Sequence, residues 1–312
     1  MSEAQAGVAI APGPCISVIV PTYNRANFIG DAIASVLSQS FSDFEVIVVD
    51  DGSTDQTGAI VAGFDDPRVI YVHQSNRGRS SARNHALSLA RGRYLAFLDS
   101  DDMYMPGKLM LQVDYMDAHP DVGMIYTSAH CVDYSGNPLN ENYIASVSGR
   151  IYKSIAFFRP VTITLPTVMA RRELFEKVGG FDEKMHRFED TDMWRRISKV
   201  TRIDALPVFT CRLRTHAENS LIAQDPVQLV AALEYYVDKI MVEDTSVSML
   251  TRKRGIGHLY DYYGRAFLTV PEWKDAGWRL IKTAYQYWPL LWAHQILIAV
   301  HYRLKSIRGR LS

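Results

Sequence analysis

Cysteine is scarce in this chain: its 312 residues hold three, Cys15, Cys131 and Cys211. None forms a CxxC pair or a metal-finger spacing, which argues against a disulfide framework and fits a reducing compartment. An excess of either charge is also missing. Thirty-four Lys and Arg cancel thirty-four Asp and Glu, so the composition points to no nucleic-acid partner and no disordered acidic tail. Long apolar runs are absent too. The longest, from Trp288 to Val300, contains Pro289, His294 and Gln295 and falls short of the roughly eighteen residues of a spanning helix. The opening MSEAQAGVAIAPGP carries an acid, no cationic stretch and only a short apolar run. Residues 1–14 therefore read as a flexible leader and not as a secretory signal. Several motifs are missing as well. Without GxxxxGK[ST] a P-loop nucleotide hydrolase is excluded, and no GxGxxG follows the first strand to bind a dinucleotide. HExxH and GxSxG are absent. DSDD lacks the glycine and the spaced oxygens of a calcium loop.

What is present is an ordinary globular balance, 47% hydrophobic and 22% charged, with enough apolar residues for a sizeable core. The length exceeds that of one typical domain, so a large α/β domain with an appendage is expected. Short apolar runs alternate with helical periods. ISVIV (Ile16–Val20), EVIVVD (Glu45–Asp50), VIYVH (Val69–His73), YLAFLD (Tyr94–Asp99) and GMIYTS (Gly123–Ser128) read as strands. Between them Phe28, Ile29, Ile33, Val36 and Leu37 recur at helical spacing, and further helices are predicted from Asp55, around Ser81–Ala90 and after Pro106. This alternation predicts an α/β fold with a mostly parallel sheet and helices on both faces. TITLPTVM (Thr162–Met169) reads as a further strand, a helix is predicted from Arg171, and the chain turns helical after about residue 220.

In such a sheet ligands bind beyond the carboxyl ends of the strands. Those positions hold Thr22-Tyr23-Asn24-Arg25, Asp50-Asp51-Gly52-Ser53 and Asp99-Ser100-Asp101-Asp102. Three polar, carboxylate-rich strand ends are hard to explain by solubility. Asp99 and Asp101, two residues apart, can converge on one hard cation and leave other positions for water and a diphosphate, which suits Mg²⁺ or Mn²⁺. An acidic turn or helix cap is the plain alternative.

The segments PTYNR, VDDGSTD, NRGRSSARN, YLAFLDSDD and RFEDTDMWRRI, in this order and spacing, resemble the family 2 glycosyltransferases of GT-A fold, from about Ile16 to Ser220. The resemblance implies a Rossmann-like nucleotide-binding sheet over residues 15–220 and transfer of a sugar from a nucleotide-diphosphate sugar, usually with inversion. It implies that Pro21, Thr22, Tyr23 and Arg25 cradle the nucleoside, and that Asp50, or else Asp51, accepts a hydrogen bond from the base. Arg83, and less strongly Asn84, would line the nucleotide site. Asp99 and Ser100 would lie by ribose and metal, with Asp101 as the principal ligand of Mn²⁺ or Mg²⁺. Asp102 either touches the donor sugar or caps the next segment.

By the same resemblance Asp190 is the base that takes the acceptor proton, a role worth about 10²–10⁴-fold. Glu189 borders the donor sugar and acceptor, or with Asp192 pairs with Arg195 or Arg196. His216 either approaches metal and diphosphate or makes a structural hydrogen bond. Gly179-Gly180-Phe181-Asp182 resembles the turn before the acceptor loop, its glycines serving backbone geometry. Trp194-Arg195-Arg196 does not match the Gln-x-x-Arg-Trp segment of processive synthases, which favours single addition. A nucleotidyltransferase would need a glycine-rich loop after the first strand, which PTYNR lacks. The remaining rival is a non-catalytic saccharide- or partner-binding member of the fold.

Residues 221–312 form a helical, basic and aromatic region. From Thr245 to Ser312 eleven Lys/Arg face three Asp/Glu, and four of the five tryptophans lie there. Either these aromatics pack on the catalytic domain or in a dimer contact, or the region lies on an anionic membrane surface. The partners expected are a nucleotide-sugar donor and a saccharide or lipid-linked acceptor, with no nucleic acid. The expected location is the cytoplasm, at the inner face of the membrane if the basic region binds lipid.

Overall fold

A computed structural model describes residues 13–158, 162–215 and 225–291. The leader through residue 12, His216 and the chain from Trp292 on lie outside the described residues. The chain divides into two units.

The first unit comprises the chain through Gly149, Thr162–Glu183 and Val200–Thr215. It opens with β1 (Ile16–Thr22), α1 (Ile29–Leu37), β2 (Phe44–Asp50), α2 (Thr57–Ala62), β3 (Val69–His73), α3 (Arg79–Leu89) and β4 (Tyr94–Phe97). Every residue of β1, β2 and β4 is buried, as expected of strands covered on both faces. On α1, Ile29, Ala32, Ile33 and Val36 are buried, an apolar stripe at helical spacing that faces the core. Then come β5 (Met103–Tyr104), α4 (Lys108–Ala118), β6 (Val122–Val132), β7 (Pro138–Tyr143), β8 (Val168–Arg171), α5 (Glu173–Val178) and, after the second unit's insertion, β9 (Arg202–Arg214).

The nine strands form one sheet of order β3-β2-β1-β4-β8-β6-β9-β5, with β7 added on β6. β1 runs parallel to β2 and β4, β2 to β3 and β6 to β9, whereas β8, β7 and β5 pair antiparallel. TITLPTVM is only partly strand. Pro166 lies in a 3₁₀ turn, Leu165–Thr167, and the strand starts at Val168, because proline supplies no ladder donor. Two pieces lock the amino edge of the sheet. Buried Glu45 accepts from Ser17 Oγ at 2.6 Å and from the Arg91 guanidinium at 2.6 and 3.0 Å. Gly92 lets the chain entering β4 pass against β1, since a Cβ there would lie 2.4 Å from the Ser17 nitrogen.

Register places the functional edge. Thr22 pairs with Asp50, Asp50 with His73, and Ile19 with Phe97. The residues following β1, β2 and β4 therefore emerge at one edge. β1 continues to Thr22 along β2, but its β4 ladder ends at Ile19. Pro21 thus falls where one side asks for no donor.

The second unit takes Arg150–Val161, Lys184–Lys199 and the chain from His216. It holds most of α6 (Glu189–Val200), α7 (Pro226–Glu243), α8 (Met249–Leu268) and α9 (Lys274–Tyr287). Asp225 caps α7 by accepting from Val227 N at 2.9 Å, and Ser248 caps α8 through Thr251 N at 3.3 Å. Such caps satisfy donors the helix leaves open. Leu233, Tyr236, Ile240, Ile256, Tyr260, Phe267, Trp273 and Leu280 form its core, with Trp288 packed against it. Part of the basic region's aromatic content is therefore packing. Among the described residues no helix is long and apolar enough to cross a membrane.

Candidate functional site

The loop after β1 and the loop after β2 are tied side by side. Asn24, at the positive φ of 49° that asparagine tolerates, donates its N–H to Ser53 Oγ at 2.9 Å and accepts from Thr54 N at 2.8 Å. Arg25 N donates to Thr57 Oγ1 at 2.8 Å, and Ala26 N to Asp55 Oδ2 at 3.1 Å. PTYNR and DDGSTD thus build one ledge, on which Tyr23 is 46% exposed.

Asp50 and Asp51 are buried. Asp50 accepts from Ser53 N and from the Tyr71 hydroxyl, both at 2.8 Å. Burial and this carboxylate push the Tyr71 phenol up to about 12. Asp51 accepts from Gln74 Nε2 at 2.8 Å, Arg77 N at 2.9 Å and Gly78 N at 2.8 Å, fixing the entry to α3. A carboxylate has about four lone-pair positions, so Asp50 keeps more free capacity than Asp51. The organising work of both acids on their own loops was not legible beforehand.

The DSDD turn follows β4 and closes with Asp102 N donating to Asp99 O at 3.0 Å. Ser100 and Asp102 are buried, while about a third of the Asp99 side chain, 35%, remains exposed. Arg83, 4% exposed, donates from Nη2 to Asp99 Oδ1 at 2.9 Å. Arg25 Nε lies 3.9 Å from Asp101 Oδ2. Burial raises the Asp99 carboxyl; the Arg83 charge opposes that and Asp101 adds to it. Burial, then Asp101 and Asp99, push Asp102 well above the usual carboxylate range. Like charges this close disfavour ionisation of one another.

Arg214, which sequence reasoning passed over, supports this turn. Its backbone N–H donates to Asp102 Oδ1 at 2.8 Å and its Nε to the Asp101 carbonyl at 3.1 Å. Nη1 donates to the Tyr134 carbonyl, Nη2 lies 3.5 Å from Asp31, and the guanidinium sits 4.8 Å from the Phe28 ring centre. Its place in RLRT, two residues before His216, was the available signal. Asn84, by contrast, clasps a loop. Its Oδ1 accepts from Phe181 N at 2.7 Å and its Nδ2 donates to Phe181 O at 2.9 Å. Gly180 permits this, since a Cβ there would lie 2.5 Å from Asn84 Oδ1.

Asp99 and Asp101 are two hard oxygen donors whose mutual repulsion a divalent ion would relieve, so their chemistry fits Mn²⁺ or Mg²⁺. Among the described residues no group of three His, Cys, Asp or Glu converges as a metal site. His216, the third candidate, lies outside the described residues.

Glu189 and Asp190 open α6 in the second unit. Phe188 before them has φ 65°, an outlier for a bulky residue and worth about 1–3 kcal/mol of strain. Its ring is held against Tyr236 and Tyr263, with centroids at 5.6 and 5.3 Å. Asp190 Oδ1 accepts from Thr191 N at 2.6 Å, and Glu189 is buried. Acids in the first turn complement the helix dipole. Below them Asp192 and Arg195 pair at 2.7 Å, Asp192 also meets Arg196 at 2.8 Å and Lys239 at 3.0 Å, and Arg195 reaches Glu243 and Asp244 at 2.6 Å. The structure thus gathers Pro21 to Arg25, Asp50, Asp51, Arg83 and Asp99 to Asp102 in the first unit, and places Glu189 and Asp190 in the second.

The fold and site together define an α/β protein with acidic loops at the carboxyl ends of its parallel strands. The family model for glycosyl transferase family 2 matches residues 17–179, and the chain belongs to glycosyltransferase family 2. An uncharacterized glycosyltransferase of Rickettsia bellii is 35% identical over 206 residues, 66% of this chain and 29% of that protein. Chondroitin synthase of Escherichia coli is 30% identical over 217 residues, 69% of this chain and 31% of that one. The chain thus spans about a third of the length of these two relatives. Among solved structures, S. aureus TarS 1–349 in complex with UDP-GlcNAc shares the fold with a TM-score of 0.65 at 22% identity, over 87% of this chain and 81% of that one. Mannosyltransferase PcManGT from Pyrobaculum calidifontis, in complex with GDP-Man and Mn²⁺, gives 0.58 at 21% identity, over 96% and 84%.

Proposed function

We propose that this chain is an inverting, metal-dependent glycosyltransferase. It moves a sugar from a nucleotide-diphosphate sugar, preferably a UDP-sugar, to a hydroxyl of a saccharide or lipid-linked acceptor. The product belongs to surface polysaccharide or glycan synthesis at the inner face of the cytoplasmic membrane. The observation that carries this reading is the DSDD turn, with Asp99, Asp101 and Asp102 crowded at the edge where the nucleoside ledge stands.

Pro21, Thr22, Tyr23 and Arg25 cradle the nucleoside, Asp50 accepts from the base, and Arg83 with Ser100 holds the ribose and phosphate side. Asp99 and Asp101 would hold Mn²⁺ or Mg²⁺, and such an ion would supply Lewis-acid compensation for the charge on a departing diphosphate. Asp102 and Glu189 border the donor sugar and acceptor. Asp190 takes the acceptor hydroxyl proton as that oxygen attacks the anomeric carbon. The bond from this carbon to the diphosphate oxygen breaks, its electrons leave with the nucleotide diphosphate, and the configuration inverts. TarS, solved with UDP-GlcNAc and with UDP, supports the UDP preference. The GDP-Man and Mn²⁺ of the mannosyltransferase support a metal-bound nucleotide sugar. Asp190→Asn is expected to lower turnover by about 10²–10⁴-fold with nucleotide binding retained. Undiminished turnover would remove Asp190 from the role of base. Nucleotide binding without turnover in the parent chain, across a panel of donors and acceptors, would favour a non-catalytic saccharide binder.

A further inference from the structure

Helix α9 turns an unusual stripe to solvent. At about 100° per residue, Lys274, Trp278, Lys282 and Arg279 fall within an arc of about 140°. All four are exposed, Trp278 to 61%, whereas Gly277, Leu280 and Ala284 on the other side are buried. Asp275 is the single acid on the exposed arc. Among the described residues none of these three cations is ion-paired. On α8, by comparison, the exposed Arg265 is tied to Asp261 at 2.9 Å. Leu290, just beyond the helix, is 54% exposed. After Asp275 the sequence holds no Asp or Glu at all, against six Lys and Arg.

A lone exposed tryptophan is ordinary. One set between cations at i−4 and i+4, neither of them ion-paired among the described residues, suits an interface that is apolar on one side and anionic on the other. The indole sits at the headgroup level while the lysine stems lie along it and their ammonium groups reach the phosphates. We infer that the Lys274–Trp278–Lys282 stripe of α9, with Arg279, docks the protein on an anionic lipid surface. This rests on the membrane-face part of the proposed function and is independent of its catalytic part. Each cation near such a surface strengthens binding about five-fold, so the three together are worth about 100-fold.

The test uses the full chain with vesicles of phosphatidylcholine alone and of phosphatidylcholine mixed with phosphatidylglycerol, read by co-sedimentation. The variants are Lys274→Gln/Arg279→Gln/Lys282→Gln and Trp278→Ala, with circular dichroism to establish that both are folded. Partition to the phosphatidylglycerol vesicles is expected, about 100-fold weaker in the triple variant, weaker in Trp278→Ala, and lost at about 1 M salt, where screening is complete within a few ångströms. No partition of the parent chain, or equal partition of the folded variants, overturns the inference. So does self-association that Trp278→Ala abolishes without any lipid binding, which would make a second copy the occupant. Nucleotide-dependent thermal stabilisation keeps the two readings apart. If it persists while sedimentation fails, only the docking surface falls; if it is absent while lipid binding holds, only the catalytic reading falls.

Discussion

Replacing Arg214 by methionine keeps an unbranched stem beside Phe28 but removes the guanidinium that steadies the DSDD turn. Two part-buried carbonyls, those of Asp101 and Tyr134, lose a charged donor. Each such loss costs about 1–3 kcal/mol. The pair with Asp31, whose side chain is 64% exposed, contributes at most about 0.5 kcal/mol after solvent screening. The stacking on Phe28 adds roughly 0.5–1 kcal/mol. The sum is about 3–7 kcal/mol, or, at about 2.1 cal/mol/K per residue, a fall in Tm of roughly 5–11 °C. The backbone bond from Arg214 to Asp102 survives the substitution, so the turn loosens at Asp101 while Asp102 stays anchored. Donor KM is therefore expected to rise more than kcat falls. Arg214→Lys offers one compact charge in place of a planar fork and is expected to restore only part of either loss. Differential scanning calorimetry with steady-state kinetics reads both effects. A midpoint within about 1 °C of the parent, with donor KM unchanged, would refute the assignment of Arg214 as the support of the acidic turn.

Two further outcomes follow from buried charge. Arg195→Met leaves Asp192 and Asp244, both fully buried, without their shared cation, and is expected to destabilise by about 3–5 kcal/mol in denaturant melts. Lys108 is fully buried over the Tyr104 ring, and burial lowers its ammonium from 10.5 to about 8. The unfolded chain then binds the extra proton, so stability rises with pH from about 8 toward 10.5. Cys211 opposes this. Burial raises its thiol from 9.0 to about 11, so the folded chain holds that proton and stability falls with pH between those values. The net expectation is a rise confined to about pH 8–9, absent in Lys108→Met, as measured by Tm against pH.

The parallel half of the sheet was legible because its strands are covered on both faces and read as unbroken apolar runs, as in EVIVVD. The strands without an apolar run, β7 and β9, were not. β7, PLNENY, is exposed throughout and shows no apolar pattern. β9, RIDALPVFTCRLR, is interrupted by Pro207 and by polar side chains satisfied far away in sequence, such as Asp204 by Tyr115 at 2.9 Å. The acids of the site were visible at strand ends. Their supports were not, because Arg214 meets Asp102 across 112 positions and Asn84 meets Phe181 across 97. No local period encodes such pairings. Asp192 with Arg195 and Arg196 was legible, since helical spacing brings them together.

The central claim is a metal-assisted nucleotide-sugar site at the Asp99–Asp101 turn. Thermal unfolding of the chain with UDP, GDP, dTDP and CMP, each with and without Mn²⁺, tests it most directly. A ligand at about 100 times its Kd stabilises by roughly 2.7 kcal/mol, a shift of several degrees. The account predicts a manganese-dependent rise with UDP that Asp101→Asn abolishes. A folded sample whose midpoint moves with none of the four nucleotides would contradict it.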